Sequence, residues 1–82
     1  MNAKEAMRLI VQHQEMPALN YAVNYAKAGI YMDENSRDFQ IRCLYTANNI
    51  ANWRPTKNST VTREEIQEAR KALKREGSCV RS

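Results

Sequence analysis

The sequence predicts an all-α fold, a small bundle of four helices over about 2–14, 17–32, 36–53 and 63–76 with the third helix central. Three observations predict it. Apolar side chains recur at spacings of three and four in each stretch, the period of a helix that buries a stripe. Pro17, Pro55 and the polar run from Asp33 to Ser36 fall between the stretches, where turns belong. Thr62 and Glu65 stand at capping-box spacing with Val61 and Ile66 as a hydrophobic staple, which marks a helix start independently of periodicity.

A chain of 82 residues is one domain, read here as 1–77 with a flexible tail at 78–82. A domain of that length buries only roughly 60 to 65% of the surface its unfolded chain exposes. The hydrophobic share of 43% and the charged share of 27% are those of ordinary globular proteins. Thin cores are commonly reinforced by disulfides, metals or oligomerisation. Cys43 and Cys79 have no framework spacing, so free thiols in a reducing cytoplasm are expected. No apolar run reaches membrane-spanning length, and no signal-peptide core follows Lys4 and Glu5. A cytoplasmic protein with no membrane partner is therefore expected.

The first helix carries Ala3, Ala6, Met7 and Ile10 on one side, with Lys4, Glu5, Arg8 and Gln12 opposite and Asn2 as its N-cap. His13, the single histidine, falls at the margin of the stripe. It reads as a half-buried surface residue, since no second ligand stands at a metal-binding spacing. Pro17 suits the first position of the second helix, where its missing N–H costs nothing. That helix gathers Asn20, Asn24, Lys27 and Tyr31 on one polar stripe and leaves Leu19, Val23 and Ile30 on one apolar flank, Tyr21, Tyr25 and Met32 on another. Ala22, Ala26 and Gly29 form a ridge of small side chains that admits close approach of another helix. With Tyr21, Tyr25 and Asn48 this ridge is the candidate self-association surface. Gly29 either serves that approach, at a cost of roughly 1 kcal/mol in helix propensity, or ends the helix.

In the third helix Phe39, Cys43, Ile50 and Trp53 lie on one face and Ile41, Leu44, Tyr45 and Ala51 on another, so both faces should be covered. Asn35 and Asp38 resemble a capping pair at its start. Asp38, Arg42, Tyr45, Asn49 and Asn52 make a polar ridge in which Asp38 and Arg42 can pair. Asn48 falls among Ile41, Leu44 and Ala51, where a buried amide can fix the register of an oligomer. The indole N–H of Trp53 should find an acceptor. Residues 54–61 form a polar connection, longer than most. The Asn58-Ser59-Thr60 sequon is read as coincidence in a chain without a secretion signal. The last helix buries a narrow stripe of Ile66, Ala69 and Leu73 and stops at Gly77.

Charge is unevenly distributed. Lys4, Arg8, Lys27, Arg37 and Arg42 balance Glu5, Glu15, Asp33, Glu34 and Asp38, so the whole net charge of +4 lies beyond residue 53. Arg54, Lys57, Arg63, Arg70, Lys71 and Lys74 are the candidate nucleic-acid contacts. The same pattern, with Glu64, Glu65 and Glu68 early in the helix and bases late, is also what the helix dipole favours on a solvated face.

No phosphate-binding loop and no zinc pattern is present, so no cofactor and no metal are expected. Cys43 reads as buried and inert, and Cys79 has no base beside it to make it a nucleophile. An enzyme is not expected. The run from Ala18 to Ala26, then Arg42-Cys43-Leu44-Tyr45, Asn49-Ile50 and Trp53-Arg54, resembles a group of short uncharacterised proteins of bacteriophages and prophages. The resemblance covers about the middle half of the chain. It implies a mobile-element accessory protein and brings no site residues with it. The expected function is a non-enzymatic interaction module that self-associates and binds a protein partner; the alternative is a small nucleic-acid-binding domain using the last helix and the connection before it.

Overall fold

A computed structural model describes residues 1–57 and 59–78. Asn58 of the sequon and residues 79–82 of the expected tail lie outside the described residues; Ser78, placed in that tail, instead caps the last helix, its N–H donating to the Lys74 carbonyl at 2.8 Å. Helix α1 spans Ala3–Gln12 and opens with a reciprocal capping box: the Asn2 side chain accepts the Glu5 N–H at 2.8 Å, and the Glu5 carboxylate accepts the Asn2 N–H at 3.1 Å. Asn2 is the expected cap, and Glu5 completes the box at N3. The helix buries Ala3, Ala6, Met7 and Ile10.

The second helix does not begin at Pro17. Pro17–Leu19 form a 3-10 turn, and α2 runs Asn20–Ile30. Its polar stripe of Asn20, Asn24, Lys27 and Tyr31 is exposed, and Ala22, Val23, Ala26 and Gly29 are buried. Gly29 thus lies inside the helix. A Cβ there would sit 2.5 Å from Met7 Sδ, so the missing side chain lets α1 press its methionine against α2.

Helix α3 spans Arg37–Asn49 and is capped by Ser36, whose Oγ accepts the Phe39 N–H at 3.1 Å. This replaces the capping role expected of Asn35 and Asp38. Asn35 instead donates its backbone N–H to Asp33 Oδ1 at 2.9 Å, closing the turn before the cap. The helix ends sooner than residue 53; a single turn follows, with the Trp53 N–H bonded to the Ile50 carbonyl at 3.1 Å. Helix α4, Arg63–Gly77, begins with the expected capping box, both bonds between Thr62 and Glu65 measuring 3.1 Å. Val61 and Ile66 are both buried, as a staple requires.

The four helices close a ring: α1 packs on α2 and α4, and α3 packs on the same two. The third helix therefore does lie between two others, but so does every helix in the ring. Its main buried face is Phe39, Cys43, Thr46 and Ala47. Ile41 and Leu44 on the second face are half-buried, while Tyr45 and Asn48 are exposed. Asn48 is thus no buried amide within the chain. Thr46 satisfies its hydroxyl by donating to the Arg42 carbonyl at 2.7 Å.

Gly77 also has a role other than the expected one. No glycine among the described residues takes a positive φ, so Gly77 is the last helical residue and not a left-handed stop. A Cβ at this position would overlap Leu44 Cγ, so the glycine lets the end of α4 lie against α3.

One pole of the bundle is tied together by its two connections. Trp53, 1% exposed, donates its indole N–H to Met16 Sδ at 3.3 Å, and its ring lies 5.9 Å from that of His13. His13 is buried, at 7% exposure, and not the half-buried surface residue expected. Its Nδ1 faces the Leu9 carbonyl at 2.9 Å, which can only accept, so Nδ1 carries the proton in the neutral ring. Nε2, 3.3 Å from Thr60 Oγ1, then accepts from the hydroxyl. The connection between α3 and α4 thus meets the end of α1 and the start of the connection to α2.

Candidate functional site

Two surfaces gather residues of the kind that bind partners. The first lies across α2 and α3. Tyr21 and Tyr25 stand one turn apart on α2, and the Tyr25 ring meets the Tyr45 ring of α3 at a centroid distance of 5.8 Å and a tilt of 45°. The Arg42 guanidinium, expected to pair with Asp38, lies over the Tyr25 ring at 5.7 Å. Tyr25, Met32, Asp38, Ile41, Arg42 and Tyr45 line a shallow cleft of about 200 Å³. Tyr21 remains 75% exposed and Tyr45 52%.

Of the candidate self-association residues, Tyr21, Tyr25 and Asn48 are on this surface or at its edge, Asn48 one turn beyond Tyr45. Ala22, Ala26 and Gly29 are not; they belong to the core and are covered within the chain. The correction has a simple cause. A small-residue ridge admits a close neighbour, and here α1 is that neighbour. The sequence reading placed Tyr45 both on the second face of the third helix and in its polar ridge, and missed its ring contact with Tyr25, because that contact joins residues on different helices.

The second surface is a cleft of about 170 Å³ between the 53–55 segment and α4, lined by Arg54, Arg63, Gln67 and Arg70 over Trp53, Pro55 and Ile66. Arg54 is held in place by the turn after α3, its Nη1 donating to the Ala51 carbonyl at 3.2 Å and the Trp53 carbonyl at 3.0 Å. Arg63, Gln67 and Arg70 follow one another at spacings of four and three, so they share a face of α4. Arg70 is half-buried, and its Nε has no acceptor among the described residues. The structure thus brings together three of the six candidate nucleic-acid contacts. Lys57, Lys71 and Lys74 are exposed and do not line the cleft.

Neither surface carries an activated nucleophile. Cys43 is fully buried in the core, and burial, followed by the nearby Glu76 carboxylate, pushes its thiol up to about 12. Among the described residues no group of three His, Cys, Asp or Glu side chains is placed to hold a metal ion. No helix among them is long and apolar enough to cross a membrane. Compared with known proteins, the chain matches no family model, no curated protein and no solved structure.

Proposed function

We propose that the chain is a non-enzymatic interaction module that pairs with a second copy of itself through the tyrosine face of α2 and α3. The supporting observation is the exposure of Tyr21 and Tyr45 around the stacked Tyr25 and Arg42. Tyrosine supplies a large, stiff contact area with a polar tip, which is why it is enriched where proteins meet. Asp38 and Arg42 line the same cleft. A two-fold contact places each residue type opposite the other, so Asp38 of one copy can meet Arg42 of the next and the patch is complementary to itself. The resemblance to short phage proteins suits an accessory role in a mobile element, in which the module works by contact alone.

Light scattering behind size exclusion, at low and high protein concentration, tests the reading. A dimer is expected at high concentration, and the double variant Tyr21→Ser/Tyr45→Ser is expected to run as a monomer. Its helical content and melting temperature should stay near those of the parent, because both side chains are exposed in the single chain. A parent that remains monomeric at several hundred micromolar, or a variant that still dimerises, would refute it.

A further inference from the structure

We propose that the cleft formed by Arg54, Arg63 and Arg70 binds the phosphodiester backbone of a nucleic acid. The inference does not depend on self-association. Each guanidinium offers a planar fork of donors that matches phosphate, and three around one cleft can surround a phosphate group from several sides. The lining is one-signed: no carboxylate stands among the lining residues, although Glu64, Glu65 and Glu68 occupy other faces of α4. A solvated helix face arranged only for its dipole has no reason to add Arg54 from a different element. Yet Arg54 is fixed there by two backbone carbonyls, beside residues 63 and 70. Trp53 and Ile66 form an apolar wall, which strengthens the field of the charges it borders. Arg54, with its Nη1 held by two backbone carbonyls, keeps part of the site ready before a ligand arrives. The first turn of α4 is already closed by Thr62, so the cleft acts through side chains and not through the helix end.

The row does not stop at the cleft, and this favours a polyanion over a lone phosphate. Arg63, Gln67, Arg70 and Lys74 continue at spacings of four, three and four, a row about 16 Å long at the rise of an α-helix. One strand of a duplex carries about five phosphates over that axial length. Lys71, exposed, lies beside the row on the same helix.

The test is fluorescence anisotropy of a labelled 20-bp DNA duplex, titrated with the full chain at several KCl concentrations. Three forms are compared: the parent, Arg63→Gln/Arg70→Gln, and Arg8→Gln/Lys27→Gln, which removes the same charge from exposed sites on α1 and α2. The cleft variant is expected to lose at least tenfold in affinity at low salt and about two units from the slope of log K against log salt. The control should lose less than threefold. Inorganic phosphate should displace the duplex no better than KCl of equal ionic strength. Circular dichroism checks that each variant folds, and Arg63→Glu, at an exposed position, replaces the double variant if that one does not. Equal losses in cleft and control variants would reduce the effect to mean charge and overturn the proposal. So would a parent that binds no DNA, or phosphate that displaces it well beyond its ionic strength.

Discussion

Replacing Gly77 by alanine should destabilise the bundle, although alanine is the better helix former. At the last helical residue the gain in propensity is below about 1 kcal/mol. Against it stands the new Cβ, which would overlap Leu44 Cγ, lie 2.5 Å from Leu44 Cδ2 and 3.2 Å from the Leu44 backbone nitrogen. The Leu44 Cγ, bonded directly to Cβ, cannot swing aside without a change of χ1 rotamer, and the backbone nitrogen can move only with α3. Overpacking of this kind costs about 1–3 kcal/mol. The net loss should be roughly 0.5–2 kcal/mol, a fall of several degrees in Tm for a domain of this size. Chemical denaturation followed by circular dichroism measures it, and the informative form is a double-mutant cycle with Leu44→Ala. In that background the Cγ and Cδ2 overlaps are gone and only the 3.2 Å approach to the residue 44 backbone nitrogen remains, so Gly77→Ala should cost clearly less than in the parent. Gly29→Ala provides the contrast: its Cβ meets the Sδ and Cε of Met7, the far end of a flexible side chain, so the net change should fall within about 1 kcal/mol of zero. If Gly77→Ala costs the same with and without Leu44, the glycine ends the helix by its own backbone preference and the packing argument fails.

Other expectations follow from the caps and the core. Thr62→Ala removes the acceptor for the Glu65 N–H and should cost about 1 kcal/mol, read as a lower Tm; an unchanged Tm would mean water replaces the cap fully. In a Cys79→Ser background, Cys43 should resist a thiol reagent until the chain unfolds, and rapid labelling of the native protein would contradict its burial. Its thiol also links stability to pH. The folded value of about 12 lies above the ordinary 9.0, so the contribution is complete below pH 9 and is lost between pH 9 and 12, by at most about 1.4 kcal/mol per unit. The difference in stability between parent and Cys43→Ala should therefore shrink across that window and stay constant below it.

The helices were legible because their signals are local. Asn2, Thr62 with Glu65, and the stripes of Ala6, Met7 and Ile10 or Ile66, Ala69 and Leu73 each declare themselves within a turn or two of chain. Boundaries failed where neighbouring residues offered competing caps, as at Asn35 against Ser36, or where Pro17 opened a 3-10 turn before the helix. Faces were harder to read than helices. The small ridge of Ala22, Ala26 and Gly29 announces a close neighbour without saying whether it is α1 or another molecule, since a glycine under Met7 looks the same in sequence as a glycine at a dimer contact. Trp53 with His13 or Met16, and Tyr25 with Tyr45, are pairs at least twenty positions apart, and no periodicity reports such pairs. The arginine cleft was half visible. Charge asymmetry picked out its members, but only the fold shows that Arg54 joins Arg63 and Arg70 while Lys57, Lys71 and Lys74 stay outside.

The closed ring of helices bears on how this chain can be lost or shortened. Because α1 touches both α2 and α4, and α3 touches the same pair, no helix hangs from a single neighbour. The buried residues form one continuous cluster with members from all four. Removing any helix therefore strips apolar cover from two others at once, and no detachable subunit exists to unfold ahead of the rest. Such a chain should melt as one cooperative unit, with amide exchange from its core helices proceeding through global opening. A ring of this kind also sets a floor on length: deleting α1 or α4 leaves three helices around an open groove and no smaller stable version of the same protein.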